Sequence, residues 1–197
     1  MLEYDFETHD EMIEFSGVAG EMLSMTVEKI ANLYLKNDKA WVIGFSGGKD
    51  STVVLSLVFQ ALTTLKKEQL TKKVYVVCSD TLVETPVVVG LIRETLNDVQ
   101  ECANKKGIPL VTQIVVPEVG QTFWSNLLGK GYPAPTKSFR WCTERMKINP
   151  VSEFIQGTVS NHGEVIVALG SRSQESATRA QSIAKHSIKG SELARHS

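Results

Sequence analysis

Six consecutive residues, Ser46-Gly47-Gly48-Lys49-Asp50-Ser51, bring together groups that suit an anion. Two adjacent glycines let a backbone turn tightly and approach a ligand without Cβ clashes. Amides in such a turn converge on an anion, and a helix that starts there adds partial positive charge. Ser46 and Ser51 supply hydroxyl donors, and Lys49 offsets phosphate charge. The segment therefore predicts a phosphate cradle. It is not a Walker loop, because Asp50 rather than Ser or Thr follows the lysine and the glycine spacing differs.

Three other groups could do chemistry. Asp80 and Thr81 follow an apolar run, where they are placed to contact a ligand at a strand end; an ordinary Asx turn is the plainer alternative. Cys142 is flanked by Arg140, Arg145 and Lys147, and nearby positive charge favours a thiolate. Cys78 and Cys102 read as small buried side chains. Gly170 opens the run Gly170-Ser171-Arg172-Ser173-Gln174-Glu175-Ser176-Ala177-Thr178-Arg179. On a helix, Arg172 and Arg179 share one face and Glu175 supports Arg179 as an i,i+4 pair. Guanidinium groups so placed suit phosphate recognition, whereas a solvated charged face is the alternative.

The elements that must position these residues are legible from periodicity. An amphipathic helix is expected over about 10–37, with Phe15, Val18, Met22, Met25, Ile30 and Leu33 at helical spacing. Short apolar runs at 41–45 and 74–78 read as buried parallel strands, and 108–116 and 164–169 as a third and a fourth strand. Helical patterns over 51–65 and from Pro86 to about Lys106 separate the first three. A short helix at 121–128, a breaker-rich loop at 129–137 and a helix from about Pro150 to His162 precede the fourth. This alternation predicts an α/β fold, an open, mostly parallel twisted sheet with helices on both faces. The cradle then falls at a strand's carboxyl end, where such sheets bind ligands.

Bulk composition narrows the function. The chain has 197 residues with a formal net charge of -1, so no basic surplus marks it as a general nucleic-acid binder. Any DNA or RNA contact must come from a local patch or a partner. No apolar run reaches the roughly 18 residues that span a bilayer, and the acidic start lacks a signal-peptide pattern. A cytoplasmic location without membrane association is expected. Three cysteines form no CxxC pair, and the histidines lack zinc-ligand spacing. The tail after Ser171 has no apolar stripe; 181–197 is expected to be flexible and truncated relative to a longer parent.

The loop matches without mismatch the SGGxDS signature of PP-loop ATP pyrophosphatases, which share the adenine nucleotide alpha hydrolase-like fold. Ser79-Asp80-Thr81 through Thr85-Pro86, the Cys142 segment ending in Lys147-Ile148-Asn149-Pro150, and the Gly170–Ala180 segment resemble the PAPS reductase branch of that family. Together the matches cover about 41–180, expected as the catalytic domain behind an N-terminal helical segment, 1–40. The resemblance implies ATP and Mg²⁺ at the loop, with Lys49, Asp50, Arg172 and Arg179 catalytic. It also implies nucleotide contacts from Ser46, Gly47, Gly48, Ser51, Asp80, Thr81 and Gly170.

Gly131 through Thr143 is similar to the DndC subfamily, sulfur-transfer ATPases of bacterial DNA phosphorothioation. That similarity implies a cysteine desulfurase and other proteins of a DNA-modification complex as partners, with DNA reached through the complex. It makes Cys142 the first ligand of a 4Fe-4S cluster whose other cysteines lie beyond Ser197. The alternatives are a PAPS or APS reductase-type sulfonucleotide enzyme, a non-catalytic nucleotide-binding subunit of a DNA-modification complex, and the partner subunit of an ATP sulfurylase.

Overall fold

The computed structural model describes residues 17–171. Four strands, β1 (Ala40–Phe45), β2 (Val74–Ser79), β3 (Leu110–Val115) and β4 (Val165–Leu169), form one sheet in the order β3-β2-β1-β4. Every pairing is parallel, with Ile43 opposite both Val76 and Ala168. Helices α1 (Gly17–Leu35), α2 (Lys49–Thr63) and α3 (Pro86–Lys106) precede or connect the first three strands. A three-residue turn α4 (Trp141–Thr143), a π-turn Glu144–Ile148 and α5 (Asn149–His162) lead into β4.

Strand alternation divides the packing between two faces. Trp41, Ile43 and Phe45 of β1 and Val74, Val76 and Cys78 of β2 share one face. There they meet Leu55, Val58, Phe59 and Leu62 of α2 and Leu96, Val99 and Ala103 of α3. Tyr75 has the opposite alternation and receives Phe154 of α5 edge-on at 5.6 Å. Helices therefore lie on both faces, as right-handed crossovers require when the chain steps β1 to β3 and then returns past β1. The core of alternating Val and Ile against helical Leu is the dominant stabilising feature.

Two polar contacts fix the frame. The fully buried Tyr34 hydroxyl donates to the Lys72 carbonyl at 2.9 Å and accepts from the Lys72 amide at 3.1 Å. This ties the end of α1 to the entry of β2. At the β3 edge, Gln100 donates to the Leu110 carbonyl at 2.9 Å and accepts from the Thr112 amide at 2.8 Å. An exposed strand edge is a template for unwanted pairing, and Gln100 occupies part of it.

Three expected elements compare with the structure as follows. The first helix is described only from Gly17, and residues 10–16 lie outside the described residues. The short helix expected at 121–128 is a 3-10 turn, Val119–Gln121, then a π-turn, Ser125–Gly129. The helix expected from Pro150 to His162 is α5, Asn149–His162, with Pro150 in its first turn, and α4 and the π-turn run directly into it. Proline suits a helix's first turn, and the carbonyl four residues before it, which proline cannot serve, must find another donor. Here that carbonyl is Met146, and it accepts from the Ser79 hydroxyl at 2.9 Å. Among the described residues no helix is long and apolar enough to cross a membrane. The arginines Arg172 and Arg179 and the tail 181–197 lie outside the described residues.

Candidate functional site

The chain leaves β1 at Phe45 and enters α2 at Lys49, so the glycine pair forms the turn between them. Gly47 has φ +71, a left-handed conformation that side chains with Cβ rarely adopt. Gly48 is the N-cap, yet no side chain caps the helix. The first amides of a helix lack intrahelical acceptors and are available to an anion.

Hydroxyl groups hold this turn shut from behind. Ser51 Oγ donates to the Gly48 carbonyl at 2.8 Å and accepts from the Ser46 amide at 3.2 Å. It also lies 3.1 Å from Ser46 Oγ. Thr52 adds its own amide and hydroxyl to the Gly48 carbonyl, each at 3.0 Å. Ser51 is buried, so its hydroxyl serves as a latch on the loop, while Ser46, Gly47, Gly48 and Lys49 face solvent. That division was not readable from the motif, which lists both serines as donors.

The β4 end completes the cradle's wall. A Cβ on Gly170 would sit 2.6 Å from the carbonyl carbon and oxygen of Asp50 and 2.8 Å from the Ser51 amide nitrogen. Only a residue without a side chain lets the two backbones approach so closely. Since β4 lies on the opposite side of β1 from β2, this is the topological switch point, where parallel sheets open a crevice. Gly170 and Ser171 are the last described residues before Arg172.

At the end of β2 the acidic turn is tightly knit. Asp80 accepts from the Leu82 amide at 2.9 Å, forming an Asx turn, and its other oxygen faces Arg93 at 3.5 Å. Leu82 itself takes φ +62. Thr81 is 1% exposed, and both its amide and its hydroxyl donate to Glu84. Burial would raise the Glu84 carboxyl, but the Thr81 hydroxyl, backbone amides and Lys147 outweigh it and hold the group below its ordinary value. Thr81 thus shapes the turn from inside. Asp80, with Ser79, Glu84 and Arg93, lines a small pocket between β2 and α3.

The cysteine segment docks onto the same end of the sheet through Ser79–Met146 and a Glu84–Lys147 ion pair at 4.0 Å. Arg145 is not turned to a thiol: its guanidinium donates to Gln121 at 2.5 Å and Tyr132 at 2.8 Å. Cys142 is half-buried on α4, and Cys102 is half-buried on α3. Burial, with Asp80 and Glu84 adding to it, pushes the Cys78 thiol up to about 11, so it is neutral near pH 7. Among the described residues no group of three or more His, Cys, Asp or Glu is placed to hold a metal. With three cysteines in the whole chain, these residues do not fit a four-thiolate iron–sulfur cluster.

An aromatic cluster unseen in the sequence reading carries the loop between β3 and α4. Trp141 stacks on Phe123 with centroids 5.6 Å apart, lies 5.7 Å from Tyr132 and donates its indole N–H to the Pro133 carbonyl at 3.0 Å. The recurrence of aromatics at 123, 124, 132 and 141 was the available signal, but their spacing follows no helix or strand period.

Residues 40–189 match the phosphoadenosine phosphosulfate reductase domain. Two uncharacterized proteins of Methanocaldococcus jannaschii are similar to this chain. One is 33% identical over 151 residues, which is 77% of this chain and 26% of that protein. The other is 31% identical over 135 residues, 68% of this chain and 26% of that protein. The chain thus spans about a quarter of the length of these relatives. The U34-tRNA thiolase NcsA from Methanococcus maripaludis, solved with its 4Fe-4S cluster, has a TM-score of 0.47 at 14% identity, covering 86% of this chain and 52% of that one. A likeness that slight carries no chemistry across.

Proposed function

The chain belongs to the phosphoadenosine phosphosulfate reductase domain family, and on that premise we propose that it cleaves ATP to AMP and pyrophosphate to activate an acceptor for sulfur transfer. The observation that carries this reading is the glycine turn at the β1 end, with Gly47 at φ +71, Gly48 as the N-cap of α2 and the rear locked by Ser51. The amides of Gly47 to Asp50 hold the two outer phosphoryl groups, and Lys49 neutralises their charge. Asp80 lies at the neighbouring strand end for the adenosine, and Gly170 lets the β4 end close on the loop. Arg172 and Arg179 are assigned to the phosphates by sequence alone.

An acceptor oxygen attacks the α-phosphorus, the bond from that phosphorus to the β-bridging oxygen breaks, and pyrophosphate leaves with the electron pair. The acceptor oxygen, now esterified to AMP, becomes displaceable by sulfur. The chain contributes position and fixed charge, which suffice when charge develops on phosphoryl oxygens. Mg²⁺, when bound, supplies further neutralisation through phosphate oxygens; Asp50 is the carboxylate nearest them in sequence.

The finer assignment is to the DndC subfamily, with a DNA phosphate as acceptor and a cysteine desulfurase as sulfur source. Its support is the resemblance of the Gly131–Thr143 segment, which ends on α4 with Cys142. An iron–sulfur cluster there would need thiolates from outside this chain. Disrupting the gene in its host and digesting the DNA to dinucleotides tests the acceptor. Loss of phosphorothioate-linked dinucleotides is expected, and DNA whose dinucleotides carry no sulfur before or after disruption would refute it. The family name favours one second reading, reduction of a sulfonucleotide; sulfite release from PAPS or APS in the presence of a dithiol would establish it.

A further inference from the structure

The acid-free stretch between Glu118 and Glu144 is at odds with the rest of the chain. The whole protein carries 22 acidic residues and a net charge of -1. Residues 119–143 contain no Asp or Glu, three cations (Lys130, Lys137 and Arg140) and five of the 14 aromatic residues. All three cations are exposed, as are Phe139 at 43% and Trp124 at 58%.

The structure gives this stretch a base and a tip. Phe123, Tyr132 and the buried Trp141 form the base, and Arg145 clamps it by bridging Gln121 and Tyr132. At the tip, Thr136 and Phe139 exchange backbone hydrogen bonds at 3.1 and 3.2 Å, a tight turn that holds Lys137 and Phe139 outward. Trp124 meets Phe123 edge-on at 5.2 Å, which fixes its ring while leaving more than half of it uncovered. One π-turn, Ser125–Gly129, lies within the stretch directly after Trp124 and another, Glu144–Ile148, follows its end, and such turns cluster at functional sites. Ser79 and Glu84 anchor its far end at the carboxyl side of β2, the end of the sheet that also carries the glycine turn.

Fixed, exposed aromatic faces beside unopposed cations are the means by which proteins bind single strands: the charges track phosphates and the rings stack on unpaired bases. A phosphopeptide would use the cations but not the rings, and an apolar partner would use the rings but not the cations. We propose that residues 119–143 form a nucleic-acid interface on this chain, which takes a single strand over Lys137, Arg140, Trp124 and Phe139. The contact is independent of which sulfur chemistry the domain supports.

The probe is a fluorescently labelled oligothymidylate of about 12 nucleotides, within the site sizes of comparable binders, read by anisotropy without nucleotide. Single-strand binding that weakens as salt rises is expected. Lys137→Glu with Arg140→Glu should lower affinity at least about tenfold and flatten the salt dependence by roughly 1.4 in log–log slope, about 0.7 per lost contact. Trp124→Ala should weaken binding about 5- to 100-fold with little change in that slope, the signature of lost stacking. Lys105→Glu with Lys106→Glu, at the opposite end of α3, is the charge control, and unchanged thermal unfolding shows that each variant folds. No binding by the unaltered chain, equal loss in the control, or tighter binding of a duplex that ignores Trp124 would each overturn the proposal.

Discussion

Gly170→Ala is expected to abolish most ATP turnover. Its new methyl group would meet the backbone of Asp50 and Ser51 at 2.6 to 2.8 Å, and backbone at a helix start cannot swing aside as a side chain does. Either the β4 end or the first turn of α2 must move. Overpacking of this kind costs about 1–3 kcal/mol of stability. A displacement near 1 Å at a site that works by position costs roughly 100-fold in rate. The measurement is kcat/KM for pyrophosphate release beside a thermal melt. Gly157→Ala is the comparison, because nothing lies within 4 Å of a Cβ at that helical position. It should be neutral or stabilising by about 0.5–1 kcal/mol. Equal activity in both variants would show that the β4 end does not shape the site.

Trp141→Ala should unmake the loop between β3 and α4 while leaving the sheet intact. The ring is 5% exposed, and it touches Phe123, Tyr132 and the Pro133 carbonyl. Deleting a buried tryptophan costs about 3–5 kcal/mol. Trp141→Phe keeps an aromatic contact and loses one hydrogen bond, about 0.5–1.5 kcal/mol. Hydrogen exchange followed by mass spectrometry separates the outcomes. Amides of 121–148 should exchange faster in the alanine variant, while those of β1 stay protected. Uniform acceleration across β1 and β2 would mean that the aromatic cluster supports the whole core.

The sheet was legible because its strands are short apolar runs between helices, the central β1 and β2 buried and the edge strands β3 and β4 partly exposed. The glycine turn was legible because its motif falls where a strand meets a helix. What stayed hidden involves contacts between distant residues. Pro150 reads as a helix start and stands in the first turn of α5, but nothing local reveals the turns that run into it or that Ser79 supplies the donor Met146 lacks. Arg145 read as part of a positive setting for Cys142, yet Gln121 and Tyr132 claim it. Thr81 read as a ligand contact, but its hydroxyl turns to Glu84 three residues on. The serines of the motif divide their work, Ser51 closing the loop and Ser46 facing out, a difference only the folded turn creates.

Product analysis after incubation with ATP and Mg²⁺ tests the cradle most directly. With ATP labelled at the α-phosphate, the unaltered chain should yield AMP or an adenylated acceptor, with pyrophosphate in equal amount. Lys49→Ala should cut the rate of both together. Accumulation of ADP with orthophosphate would mean that the bond broken lies beyond the β-phosphorus, and that the turn between Phe45 and Lys49 does not hold a pyrophosphate leaving group.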